Sequence, residues 1–181
     1  MASQRPPKTD AIQLLKEDHA AVKELFAEFK RFQEEKTEGV DELKQDLMDE
    51  VCKMLTIHTQ IEEEIFYPAV RQALPDEEDL MNEAEVEHSG AKDLIEQIQA
   101  GSASDPMTCA RFLVLSEQID HHVEEEHEDM FPKVQESSLD TQAVGEQMAA
   151  RKEELEAEAV APKGTAPAKP SVWDRISTLR R

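Results

Sequence analysis

Hydrophobic residues recur at three- and four-residue steps through four long stretches of the chain, and each stripe is interrupted by one histidine. In the first, Ile12, Leu15, Val22, Phe26 and Phe29 share a face with His19. In the second, Leu43, Leu47, Val51, Met54, Ile61, Ile65 and Ala69 flank His58. Leu80, Ala84, Ala91, Ile95 and Ile98 surround His88 in the third, and Phe112, Leu115, Ile119 and Val134 accompany His122 in the fourth. This periodicity predicts four amphipathic helices. Thr9 or Asp10 is placed to cap the first helix, which is expected to run to about Glu35, with Gly39 marking its end. The second starts near Val40 or Asp41, the third after a Pro75–Glu78 turn with Asp76 as cap, and the fourth at Asp105–Pro106. Pro68 and Pro132 each remove a backbone donor late in a helix, so a bend or a frayed turn is expected there.

Short connections between four such helices favour an all-α, up-down-up-down four-helix bundle. Residues 1–8 read as a flexible leader, 9–137 as the bundle, 138–159 as a short accessory acidic helix, and 160–181 as a linker with a basic amphipathic C-terminal peptide. The bundle repeats internally: a helix with a lone histidine precedes one with His-x-x-x-Glu, and the pair recurs. Residues His58 to Pro68 and His122 to Pro132 superpose as His-x-x-x-Glu, an acidic run, an apolar pair and a proline.

Composition narrows the chemistry. The chain has 181 residues, only 4% of them aromatic, and a formal charge of −21, so its surface repels nucleic acid and anionic lipid. It has no apolar run long enough to span a membrane and no apolar signal-peptide core at the N-terminus, which points to a cytoplasmic protein. Cys52 and Cys109 are far apart and read as reduced, buried thiols.

A histidine on an apolar stripe is costly unless its nitrogens find partners. Four helices each carry one, and two add a carboxylate one turn on, the i and i+4 places that share a helix face. The candidate metal ligands are therefore His19, His58, Glu62, His88, His122 and Glu126. Neutral imidazoles with bridging carboxylates suit Fe, Mn or Zn, while the absence of thiolates argues against structural zinc and iron–sulfur centres. In the working arrangement His19 and His58 hold one ion, His88 and His122 the other, and Glu62 and Glu126 bridge them. Glu124-x-x-His127 and Glu85-x-x-His88 admit a ferritin-like carboxylate di-iron alternative, but it leaves His19 and His58 unused. At 3.6 residues per turn His127 lies about 140° from His122, so His121 and His127 are expected to face outward or flank the site. Asp18 and Glu87 are candidates to orient the imidazoles, and Tyr67 reads as packing.

The order His…His-x-x-x-Glu…His…His-x-x-x-Glu, with an acidic–apolar–Pro run after each motif, resembles the hemerythrin-like (HHE cation-binding) family over about Asp10–Glu136. The resemblance implies a non-haem di-iron centre, oxo-, hydroxo- or water-bridged, with those six residues as ligands. It implies O2, peroxide or nitric oxide as small ligand, and a role in oxidative or nitrosative stress. One departure stands out. The oxygen carriers of the family have a further histidine one turn from the third-helix histidine, where this chain has Ala84 and Lys92; Glu85 or solvent is left to fill that place. A more open iron pair suits turnover or sensing better than storage. The rival readings are a non-enzymatic iron or oxygen sensor and an iron–sulfur repair protein.

The tail carries +4 and the remainder −25. Trp173, Ile176, Leu179 and Arg180 form an apolar strip beside basic residues, which can dock in a partner's groove. They weakly resemble the C-terminal peptides that load di-iron proteins into encapsulin-type shells, with Asp174 standing where such peptides have an apolar residue. A homodimer and such a shell are the macromolecular partners the sequence admits, the latter placing the protein inside a nanocompartment.

Overall fold

The structure is a computed structural model that describes residues 9–34 and 39–160. The leader 1–8 and the tail from 161, with its candidate docking residues Trp173, Ile176, Leu179 and Arg180, lie outside the described residues. The elements are α1 (Ala11–Gln33), α2 (Val40–Ile61), a π turn π1 (Glu62–Phe66), α3 (Tyr67–Ala73), α4 (Glu78–Gln99), α5 (Pro106–Glu125), a second π turn π2 (Glu126–Met130), α6 (Phe131–Glu136) and α7 (Thr141–Val160). No strand occurs among the described residues.

Asp10 caps α1, its carboxylate accepting from the Gln13 N–H, and Asp105 caps α5 by accepting from Met107 and Thr108. Two helix boundaries differ from expectation. Glu34 closes α1, and Gly39, at φ 82°, opens α2 as its N-cap. Glu77 rather than Asp76 precedes α4, with no side-chain cap.

Neither late-helix proline frays its helix. The Tyr67 N–H reaches the Glu62 carbonyl and the Phe131 N–H reaches that of Glu126, five residues back in each case. The wider turn relieves the crowding that a proline ring imposes on the carbonyl four residues earlier, and the helix resumes with Pro68 and Pro132 in its first turn.

Helices α1, α2, α4 and α5 close a ring of neighbours, and α7 lies over α1, α2 and π1. The interior is apolar at both ends. One cluster centres on Phe26, Phe29, Leu47, Val51, Phe112 and Leu115, and the other on Leu15, Ile61, Phe66, Met81, Phe131 and Met148. His19, His58, Glu62, His88, His122 and Glu126 are all buried, a polar layer between the two clusters. Gly145 lets α7 approach: a Cβ there would stand 2.2 Å from the Thr9 carbonyl oxygen and 2.5 Å from the Ala11 nitrogen.

Candidate metal centre

Each ligand candidate sits where its helical stripe turns into the polar layer. His19 comes from α1, His58 from α2, Glu62 from π1, His88 from α4, His122 from α5 and Glu126 from π2. All four imidazoles turn Nε2 inward. His19 and His58 bring these atoms to 3.0 Å, and His88 and His122 to 3.2 Å. Glu62 Oε2 lies 3.2 Å from His58 Nε2 and 3.4 Å from His88 Nε2, so one carboxylate spans both pairs. Glu126 Oε2 does likewise, 3.3 Å from His19 and 3.7 Å from His122. Two groups of potential ligands result, His19–His58–Glu62–Glu126 and Glu62–His88–His122.

Three of the four outer nitrogens are hydrogen-bonded. His122 Nδ1 is 2.8 Å from Glu87 Oε2, and His88 Nδ1 is 3.1 Å from Glu63 Oε1. His58 Nδ1 has a longer contact, 3.5 Å, with Asp18 Oδ2. His19 Nδ1 shares a 3.0 Å hydrogen bond with His127 Nε2. A proton held on Nδ1 by these partners leaves the Nε2 lone pair pointing at the centre. There the lone pairs meet carboxylate oxygens, and Glu62 Oε1, Glu62 Oε2 and Glu126 Oε2 have no hydrogen-bond donor. Converging lone pairs and unpaired buried carboxylate oxygens fit a cation and are otherwise destabilising.

The family profile of the hemerythrin HHE cation binding domain matches residues 10–159. The chain belongs to that family. A solved structure of a hemerythrin HHE cation binding domain-containing protein from Mycobacterium kansasii is similar to this hemerythrin HHE domain at 27% identity and a TM-score of 0.66, over 83% of this chain and 90% of that one. No curated protein matches the chain.

Charge in the metal-free HHE centre is unevenly shared. Burial works against every charge in it, and where burial dominates it lowers the imidazoles: His19 falls to about 2, helped by the charge on His58, and His88 also drops. At His58 burial is outweighed by the Glu62 charge and the Asp18 contact, and the imidazole rises to about 10. His122 rises too: burial is the largest single influence and lowers it, but the bond to Glu87 together with the charges on Glu126, Glu62 and Glu87 outweighs it. Each pair thus holds one readily protonated ring and one neutral ring. Burial and the facing Glu62 carboxylate push Glu126 up to about 8, whereas the surrounding imidazoles overcome burial and keep Glu62 ionised.

Two residues differ from their sequence reading, and a third has a role beyond it. Glu85, the candidate additional ligand, is exposed and accepts a 2.7 Å bond from Arg71 at the surface. Tyr67 is more than packing: it is fully buried, and its hydroxyl donates to Glu126 Oε1 at 3.2 Å and stands 3.4 Å from His88 Nε2. His127 does flank the centre, but it holds His19, a role that the α-helical wheel gave no sign of. The position left by the missing histidine opens instead as a cavity of about 40 Å³ that Ala84 lines together with Leu80, Met130, His122 and Glu126. Lys92, the other flanking residue, points out and bonds both Glu63 oxygens at 2.6 Å.

Both cysteines are free and buried, and burial pushes the Cys52 thiol up to about 12, so it stays a thiol. No helix among the described residues is long and apolar enough to cross a membrane.

Proposed function

We propose that this HHE domain holds a pair of iron ions and uses them to bind or turn over O2, peroxide or nitric oxide in defence against oxidative or nitrosative stress. His19 and His58 would hold one ion, His88 and His122 the other, with Glu62 and Glu126 between them. The observation that carries this reading is the convergence of four Nε2 atoms and two shared carboxylates, with three imidazoles hydrogen-bonded on their outer side and His58 beside Asp18. When bound, the iron pair supplies redox chemistry and open coordination positions.

The chain's own residues set ligation and access. Asp18, Glu63, Glu87 and His127 fix the ring orientations. Tyr67 places a hydroxyl donor at Glu126 Oε1, facing the centre. The cavity of about 40 Å³ beside His122 and Glu126 has room for one or two water-sized molecules, which favours a small ligand over an organic substrate. Exclusion of bulk water by Phe66, Phe131 and Met81 keeps the centre in a low-dielectric environment.

A non-enzymatic sensor is the second reading. It is favoured by α7, whose Lys152 bonds Asp18 and whose Arg151 bonds Glu64 on π1, connecting the centre to the helix that leads into the tail. In the cytoplasm, that tail would serve to dock the protein to a partner or to a nanocompartment shell.

Metal content and the optical spectrum of the purified and oxidised protein test the proposal. About two iron ions per chain, the near-ultraviolet absorption of a bridged ferric pair and consumption of peroxide would support it. Iron-dependent partner binding without consumption would favour the sensor, and no transition metal after anaerobic loading would end both readings.

A further inference from the structure

Beyond the inner centre, α4 and α5 carry a second set of ligand atoms. Glu87, His121 and Glu125 bring one atom each within 4.8 Å of one another at the protein surface. His121 Nε2 lies 3.4 Å from Glu125 Oε1 and 3.8 Å from Glu87 Oε1, and its side chain is 65% exposed. The other Glu87 oxygen holds His122. One carboxylate therefore faces both ways, toward the surface trio and toward an inner imidazole.

The surroundings join the two. The trio lines an open cleft of about 510 Å³ together with Asp79 and Glu83. Glu83, Glu87 and Glu125 also line the cavity of about 40 Å³ that reaches His122 and Glu126. At its inner end Glu126 is only 1% exposed, and its Oε2 lacks a hydrogen-bond donor. The internal repeat supplies a contrast. In the α1–α2 half the places of His121 and Glu125 are taken by Ile57 and Ile61, both buried, and the counterpart of Glu87, Asp18, is covered by Lys152. A pocket of about 150 Å³ opens on that side too, beside Asp18, Glu50 and Ile57, but no imidazole lines it.

We propose that Glu87, His121 and Glu125 form an outer site that captures a divalent first-row transition metal from solvent and passes it along this cavity to His122 and Glu126. The inference rests on the dinuclear reading of the inner centre. One imidazole and two carboxylates suit ferrous or manganous ion better than calcium, which takes oxygen ligands alone. The acidic walls of the cleft raise the local cation concentration and steer it inward. Glu87 gives the ion a ligand at the point where the cleft narrows.

Ferrous uptake by the full-length protein tests this. Free ferrous ion would be added anaerobically, trapped with a chelator at timed intervals, and the bound metal counted at the end. In H121A/E125Q uptake should slow about tenfold or more while final capacity stays that of the wild type. E146Q, which removes one charge from the exposed face of α7, should load at the wild-type rate. Equal rates in H121A/E125Q and wild type would overturn the outer site. So would equal slowing in E146Q, which would make the effect one of net charge, or a loss of capacity in H121A/E125Q, which would make the trio part of the inner centre. A wild-type protein that takes up no ferrous ion would instead overturn the dinuclear reading itself.

Discussion

The two halves of the centre are built on one plan and finished differently. His19, His58 and Glu62 in the α1–α2 half correspond in the repeat to His88, His122 and Glu126 in the α4–α5 half. Five residues after the second histidine of each half stands a residue that reaches across to the other half's first histidine: Glu63 to His88, and His127 to His19. Nine residues after it stands an aromatic ring over that same histidine, Tyr67 beside His88 and Phe131 stacked near His19 at 6.2 Å. The α1–α2 half is covered by α7, while the α4–α5 half opens through the cleft. Symmetry thus places the six candidate ligands, and the asymmetric partners decide charge and access: on one side α7 and its Lys152 cover Asp18 and an imidazole braces His19, on the other a wider cleft opens and a carboxylate braces His88.

The sharpest way to break this arrangement is Glu62→Gln. Glu62 belongs to both ligand groups, so metal content after anaerobic loading, measured by atomic emission, should fall from about two ions per chain to less than about one. Next come the two braces. Glu63→Gln should weaken metal affinity about 10- to 100-fold in a competition titration with a chelator, and His127→Gln should weaken it less, because the imidazole carries no charge to pass to its partner. Equal losses would show that the braces act by orientation alone.

Protonation offers a third test. With metal removed, His58 is raised from 6.5 to about 10 and Glu126 from 4.5 to about 8. A raised folded-state value stabilises fully below the unfolded value and is lost as pH climbs through the folded one. His19, depressed to about 2, adds no pH dependence above 6.5. Thermal melts of the chelated protein should therefore drop in Tm from about pH 7 to about pH 10, and the metal-loaded protein should show a smaller drop, its ligand protons already displaced. Tyr67→Phe gives the smallest effect. It makes the two halves alike at this place and removes one donor to Glu126, a loss of about 1 kcal/mol by chemical denaturation.

The helices and the six convergent residues were legible because both follow one period, with His19, His58, His88 and His122 on stripes whose other members are plainly apolar. What escaped notice lies just past the motifs. An α-helical wheel places His127, but π2 widens the turn there, so angles counted at 3.6 residues per turn mislead. Aligning the repeats sets Tyr67 opposite Phe131, which points to packing and hides the hydroxyl, whereas it sets His127 opposite Glu63, a pairing that marks a polar role. Glu85 stands close to His88 in sequence, but the surface cation Arg71 outcompetes the interior for it. The role of α7 was illegible for a different reason: its grip on Asp18 and Glu64 joins residues far apart in the chain, which no local pattern reports.

The paired π turns have a consequence for any attempt to improve this scaffold. Deleting one residue from Glu62–Phe66 would narrow the turn to α-helical width and press the Pro68 ring back onto the carbonyl four residues earlier. The helix beyond would keep its phase, but the side chains within the turn would lose the offset that sets Glu62 between His58 and His88 and aims Glu63 at His88. A redesign that rewarded helical regularity would gain a proline clash and scatter the interior; the irregular turn is where the scaffold stores both its carboxylate and its bend.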